Sequence, residues 1–110
     1  MKLYVGQEML CVNTKGYKND GFEAHFTVGK CYVITKIGGH ERLSSSVVWT
    51  LTDLNVRDNR LDEEQAYWTN YQDFMSMFIP LNSLEEEDIF QYKLSGVIPD
   101  GAIERAKAKL

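Results

Sequence analysis

Apolar positions along this chain fall into short runs of strand length, separated by glycines and polar stretches. The clearest lies between Thr27 and Ile37. Val28-Gly29-Lys30 supplies a turn, and Tyr32, Val33, Ile34, Thr35 and Ile37 are the β-branched and aromatic types that suit a pleated, half-buried surface. The pattern predicts a strand over Phe26 to Ile37, ended by Gly38-Gly39. Upstream, residues 2–14 predict a first strand around Met9-Leu10-Cys11-Val12, entered through a Val5-Gly6 turn. That run is continuous rather than alternating, so its periodicity leaves open which face is buried. Residues 15–24 and 38–46 are rich in Gly, Asn, Asp and Ser and predict loops. Val47 to Thr52 predicts a third strand centred on Trp49, Asp58-Asn59 a tight turn, and Tyr67-Trp68-Thr69 a short closing strand. From Tyr71 to Pro80 the residues predict one turn of helix and a last short strand stopped by Pro80.

The pattern changes over residues 83–110. Ser83 followed by Glu86 has the form of a capping box, and Glu85, Glu86, Glu87 and Asp88 stand where the positive end of a helix favours them. Ile89, Phe90 and Leu94 supply a partial apolar face, and Gly96 is a natural stop. Asp100 is placed to cap a final helix through Ala102, Ile103, Ala106 and Leu110, with Arg105, Lys107 and Lys109 toward its C-terminal end. The division expected is a β unit over 1–82 and a helical extension over 83–110, packed on that unit or on a neighbour.

At 110 residues with 44% hydrophobic positions, the chain is the size of one domain and carries enough apolar material for a core without staples. Thirteen aromatics supply large pieces of it. The start lacks the apolar segment of a signal peptide, and no apolar run approaches the roughly 20 residues that span a bilayer. A soluble, cytoplasmic protein with no membrane association is expected, with Cys11 and Cys31 reduced. The net charge of −4 is unevenly spread: residues 1–43 carry a net +2 and residues 44–110 a net −6. Ten acids against two arginines lie between Asp53 and Asp88. That balance disfavours nonspecific nucleic-acid binding, which needs Lys and Arg to displace phosphate counterions, and suits a basic partner.

The order of features resembles a family of small bacteriophage-encoded proteins built on an SH3-like barrel. The resemblance rests on Val5-Gly6-Gln7-Glu8-Met9-Leu10-Cys11-Val12, on Val28-Gly29-Lys30-Cys31-Tyr32-Val33-Ile34, on Trp49 to Leu54, and on Tyr67-Trp68 with Phe74, Phe78 and Ile79. It covers about residues 3–82. It implies a small SH3-like β-barrel, to which the pattern over 83–110 adds one or two C-terminal helices, together with a phage origin and a host-directed or DNA-transaction role in the host cytoplasm. The chain departs from the family's simplest members in its longer segment at 53–66 and in its extension at 83–110.

Candidate chemistry is sparse. Cys11, His25, Cys31 and His40 are zinc-ligand types, but no two lie closer than six positions, whereas structural zinc sites use close pairs. Neither a metal nor any other cofactor is expected. Cys31 follows Lys30, yet a cysteine nucleophile needs a positioned base. Gly29-Lys30 is followed by Cys31 and a strand, which rules out a phosphate loop. Asp62, Glu63 and Glu64 in a polar segment stay solvated and ionised, which suits binding better than acid–base work. With Tyr67, Trp68 and Tyr71 close behind, they form an acidic–aromatic candidate for partner binding. Lys15, Tyr17, Lys18, Phe22 and Lys30 interleave bases with aromatics and form the nucleic-acid alternative. The function expected is therefore a non-enzymatic protein-binding module, an inhibitor or modulator of a host protein, docking through the 53–71 acidic–aromatic region or through the C-terminal helices. The other two readings are a nucleic-acid-binding small barrel and an oligomer that sequesters a nucleotide or small molecule.

Overall fold

Met9 and Cys11 turn to one face of the first strand and Leu10 to the other, and all three side chains are fully buried. In the computed structural model, which describes residues 3–16, 21–39, 46–53 and 67–109, that strand is therefore covered on both sides. The strands are β1 (Glu8–Cys11), β2 (Cys31–Gly39), β3 (Ser46–Thr50), β4 (Tyr67–Asn70) and β5 (Phe78–Pro80). The helices are α1 (Tyr71–Met77), α2 (Glu86–Ser95) and α3 (Ala102–Lys107). The strands form one antiparallel sheet in the order β4-β3-β2-β1-β5. The chain is thus mainly β with C-terminal helices, and β4 and β5 stand at the two ends of the strand order.

The long β2 serves both halves of the sheet. Cys31 to Val33 pair with β1, and Ile34 to Gly39 pair with β3, with a register shift between Ile34 and Lys36. Such a bulge bends a strand and sharpens its twist. The pair Gly38-Gly39 ends the strand, as the sequence pattern predicts, while still pairing opposite Val47 and Ser46. The turn before β2 needs Gly29, whose φ is 92°. Its N–H donates to the Cys11 carbonyl (2.8 Å), which closes the turn onto β1.

Two apolar cores result. The first gathers Met9, Cys11, Tyr32 and Ile34 from β1 and β2 with Phe26, Phe74 and Phe78. Phe26 packs edge-on against Tyr32 and Phe78, each with ring centroids 5.0 Å apart, and Phe74 stacks on Phe78 at 4.5 Å. The second lies on the opposite face of β1 and β5, where Leu10 and Ile79 meet Leu81, Leu84, Ala102 and Ala106. The C-terminal helices therefore pack on their own sheet. Cys11 belongs to the first core and Cys31 borders the second; both are free thiols.

The C-terminal region departs from its expected caps. Leu81–Ser83 form a 3-10 turn, in which the Ser83 hydroxyl donates to the Pro80 carbonyl (2.6 Å). Ser83 is thereby withdrawn from a capping box, and α2 begins later, with Glu85 at its N-cap. Asp88 is buried and takes a two-pronged ion pair from Arg105, with Nη2 2.9 and 3.0 Å from its two oxygens, which ties α3 to α2. Gly101, not Asp100, occupies the N-cap of α3. Gly96 ends α2 in the left-handed conformation, as expected.

Phe26→Ala is expected to lower the unfolding free energy by about 3–5 kcal/mol in urea denaturation, because it empties the ring-packed centre of the first core. Burial pushes the Cys11 thiol from its usual 9.0 up to about 11. An acid with a raised folded pKa contributes stability below its unfolded pKa and loses it as pH climbs through the folded one. Stability should therefore fall between about pH 9 and 11, and Cys11→Ala should make that fall shallower in denaturation curves across the range.

Candidate functional site

The outer side of β3 and β4 carries the aromatic surface. Val48 lies in the first core, so alternation along β3 turns Trp49 to the other face. Trp68 stands directly opposite Trp49 across the β3–β4 ladder and is 40% exposed. On the other side of Trp49, Lys36 is its cross-strand neighbour and holds its ammonium 4.7 Å from the indole centroid. Trp49 is half-buried, and a cation over an indole is worth about 0.5–2 kcal/mol, more as the pair is desolvated. Lys36, Trp49 and Trp68 thus form a row across three strands. Tyr71, exposed, follows at the start of α1, where the Asn70 side chain accepts from the Gln72 N–H and caps the helix.

Of the acidic–aromatic candidates, Trp68 lies in this row and Tyr71 is exposed at the start of α1. Tyr67 is half-buried beneath the sheet, stacked on His25 (centroids 4.1 Å apart) and edge-on to Phe22 and Phe26. One residue of strand places it on the opposite face from Trp68. Asp62, Glu63 and Glu64 lie outside the described residues. Lys36 and Trp49 join this surface although neither belongs to the acidic–aromatic segment of the sequence. The signal for Trp49 was present in its position between two core-facing residues, but Lys36 reaches the row only through the bulge in β2.

Where the acidic segment leaves β3, Asp53 is fixed by a hydrogen-bonded clamp. Its carboxylate accepts from the Thr27 hydroxyl (2.6 Å) and the Tyr32 hydroxyl (2.8 Å), while its N–H donates to the His25 carbonyl (2.9 Å). The Tyr32 oxygen in turn accepts from the Thr27 N–H (2.7 Å). Burial, with the Asp53 charge adding to it, pushes the Tyr32 phenol up. Asp53 is thus a structural carboxylate that joins the turn before β2 to the end of β3.

An open cleft of about 500 Å³ lies beside this clamp, lined by Lys30, Cys31, Val33, Leu51 and Asp53 among others. Burial raises the Cys31 thiol, which keeps it protonated near neutral pH. Among the described residues no three of His, Cys, Asp and Glu gather into a metal-binding set. Of the nucleic-acid alternative, Tyr17 and Lys18 lie outside the described residues, and Phe22 is buried in the first core, out of reach of a stacking base. No described helix is long and apolar enough to cross a membrane. No family model, no curated protein and no solved structure matches this chain.

Beneath the aromatic row, the hydroxyls of Thr50 and Thr69 are buried with no hydrogen-bond partner among the described residues. A buried unpaired hydroxyl costs about 1–3 kcal/mol, whereas a methyl of the same shape does not. Thr69→Val is therefore expected to raise stability by about 1 kcal/mol in thermal and urea unfolding. A loss of stability would show that the hydroxyl is satisfied in solution.

Proposed function

We propose that this protein is a non-enzymatic protein-binding module on a small SH3-like barrel, docking a partner through the Lys36–Trp49–Trp68 row and Tyr71. The barrel reading is supported by the path of the sheet: a β1–β4 meander, a long β2 shared by both halves with a register shift between them, and β5 returning to the far side of β1 after a short helix. The observation that carries the docking surface is the Trp49–Trp68 pair, with Trp68 substantially exposed on a rigid strand. Tryptophan and tyrosine are the residue types that most often anchor interfaces, and a strand fixes them before binding.

The charge pattern supports a basic partner. From Asp53 to Trp68 the sequence has five acids against two arginines, and this segment joins the strands that carry the two tryptophans. Complementary charge would steer encounter, and the indoles would supply the buried contact. A host-directed modulator encoded by a phage is the biological setting that the resemblance implies.

Affinity capture from bacterial lysate tests this reading, run with and without nuclease. One stoichiometric protein surviving nuclease treatment is expected. Trp68→Ala should weaken its capture roughly thirtyfold, equivalent to about 2 kcal/mol, while the isolated protein keeps its fold with a melting temperature only modestly lowered by loss of the cross-strand pair. Nuclease-sensitive recovery of many proteins, or capture indifferent to Trp68→Ala, would overturn the proposal.

A further inference from the structure

Helix α2 buries one side and leaves the other bare. Asp88 is buried, and Ile89 and Tyr92 pack toward the second core, with the Tyr92 hydroxyl accepting from the Cys31 N–H at 3.2 Å. Phe90 and Leu94, one turn apart on the opposite side, are 60% and 68% exposed, and Val97, just past the Gly96 cap, is 67% exposed. No large apolar side chain among the described residues is more exposed than Leu94 and Val97.

The charges along this stripe name its occupant. Glu86 and Lys93 lie seven residues apart, two helical turns, on the same side of the stripe, with Phe90 between them. When a second α2 is laid antiparallel with Phe90 against Phe90, Glu86 of each copy comes beside Lys93 of the other. The acidic first turn of each helix then faces the lysine-bearing last turn of its mate, and the helix dipoles oppose. The stripe is thus self-complementary, as a two-fold interface requires. Lys93 is available for this exchange: its contact with Glu8 is long (3.7 Å) and exposed on both sides, the kind of pair that contributes little.

We infer that the α2 stripe is a homodimer interface in which two copies pair antiparallel about Phe90, flanked by two Glu86–Lys93 ion pairs. The apolar area uncovered by Phe90, Leu94 and Val97 is on the order of 300 Å² per copy, so the paired surface falls below the roughly 1,200 Å² of standard interfaces. The dimer is accordingly weak and concentration-dependent.

Sedimentation equilibrium of the full chain from about 10 µM to about 1 mM tests it, across the range in which such small interfaces associate. The average mass should rise from monomer toward dimer with concentration, and Phe90→Glu should hold it at monomer with the circular dichroism spectrum unchanged. Glu86→Lys and Lys93→Glu should each weaken self-association about tenfold or more, since each sets like charges against each other across the two-fold axis. An equimolar mixture of these two variants should dimerise again, because one chain then carries lysine at both positions and the other carries glutamate at both. Wild-type protein that stays monomeric throughout, self-association that survives Phe90→Glu, or a charge-swapped mixture that does not associate would overturn the inference.

Discussion

Everything in this fold depends on a four-residue strand with no free side. β1 is hydrogen-bonded to β2 on one edge and to β5 on the other. Its pleat sends Met9 and Cys11 into one core and Leu10 into the second. A slip of one residue would exchange these destinations, driving Leu10 into the ring-packed space around Phe26 and Phe78 and pulling Met9 out of it. The register of β1 therefore fixes the register of β2 and β5 together. It also explains why the C-terminal helices belong to the same folding unit as the sheet: without them, Leu10 and Ile79 would face water.

The same double burial accounts for what the sequence conveyed about the fold. Cys31–Ile37 was legible because β-branched and aromatic residues are concentrated there. Met9-Leu10-Cys11 was legible as a strand but not as a facing, because a strand buried on both faces has no alternation to read. Gly38-Gly39 marks the end of β2, and both residues still take part in its ladder, since glycine weakens a strand without forbidding pairing. The Ser83–Glu86 spacing had the right letters for a capping box, but Pro80 and the 3-10 turn after it took the Ser83 hydroxyl first.

The candidate site was half legible for a related reason. Tyr67, Trp68 and Tyr71 stand close together in the sequence, yet adjacent residues on a strand face opposite ways, so β4 divides the group. Tyr67 became the lid of the first core against His25. Trp68 found partners that are remote in sequence, through β3 to Trp49 and through the bulged β2 to Lys36. Nonlocal pairing of this kind cannot be read from spacing. Asp53 shows the converse: a residue counted with the acidic surface by sequence is committed to Tyr32 and Thr27, so it positions the segment that follows it rather than offering its charge to a partner.

The two exposed apolar surfaces lie toward opposite ends of the strand order. The Trp49–Trp68 row is on β3 and β4, and the Phe90–Leu94 stripe is on the helix that covers β1 and β5. Neither needs the other's side chains, so self-association through α2 would leave the tryptophan row of each copy open. A dimer of this form would present two identical docking faces at a fixed separation, and a partner with two matching sites would bind by avidity even where each contact is weak. Coupling would run both ways: a bivalent partner would also draw the chains together, since anything that binds the dimer preferentially shifts the association equilibrium by mass action. Two small surfaces, each modest alone, would then act as one strong one only when the partner itself is repeated or symmetric.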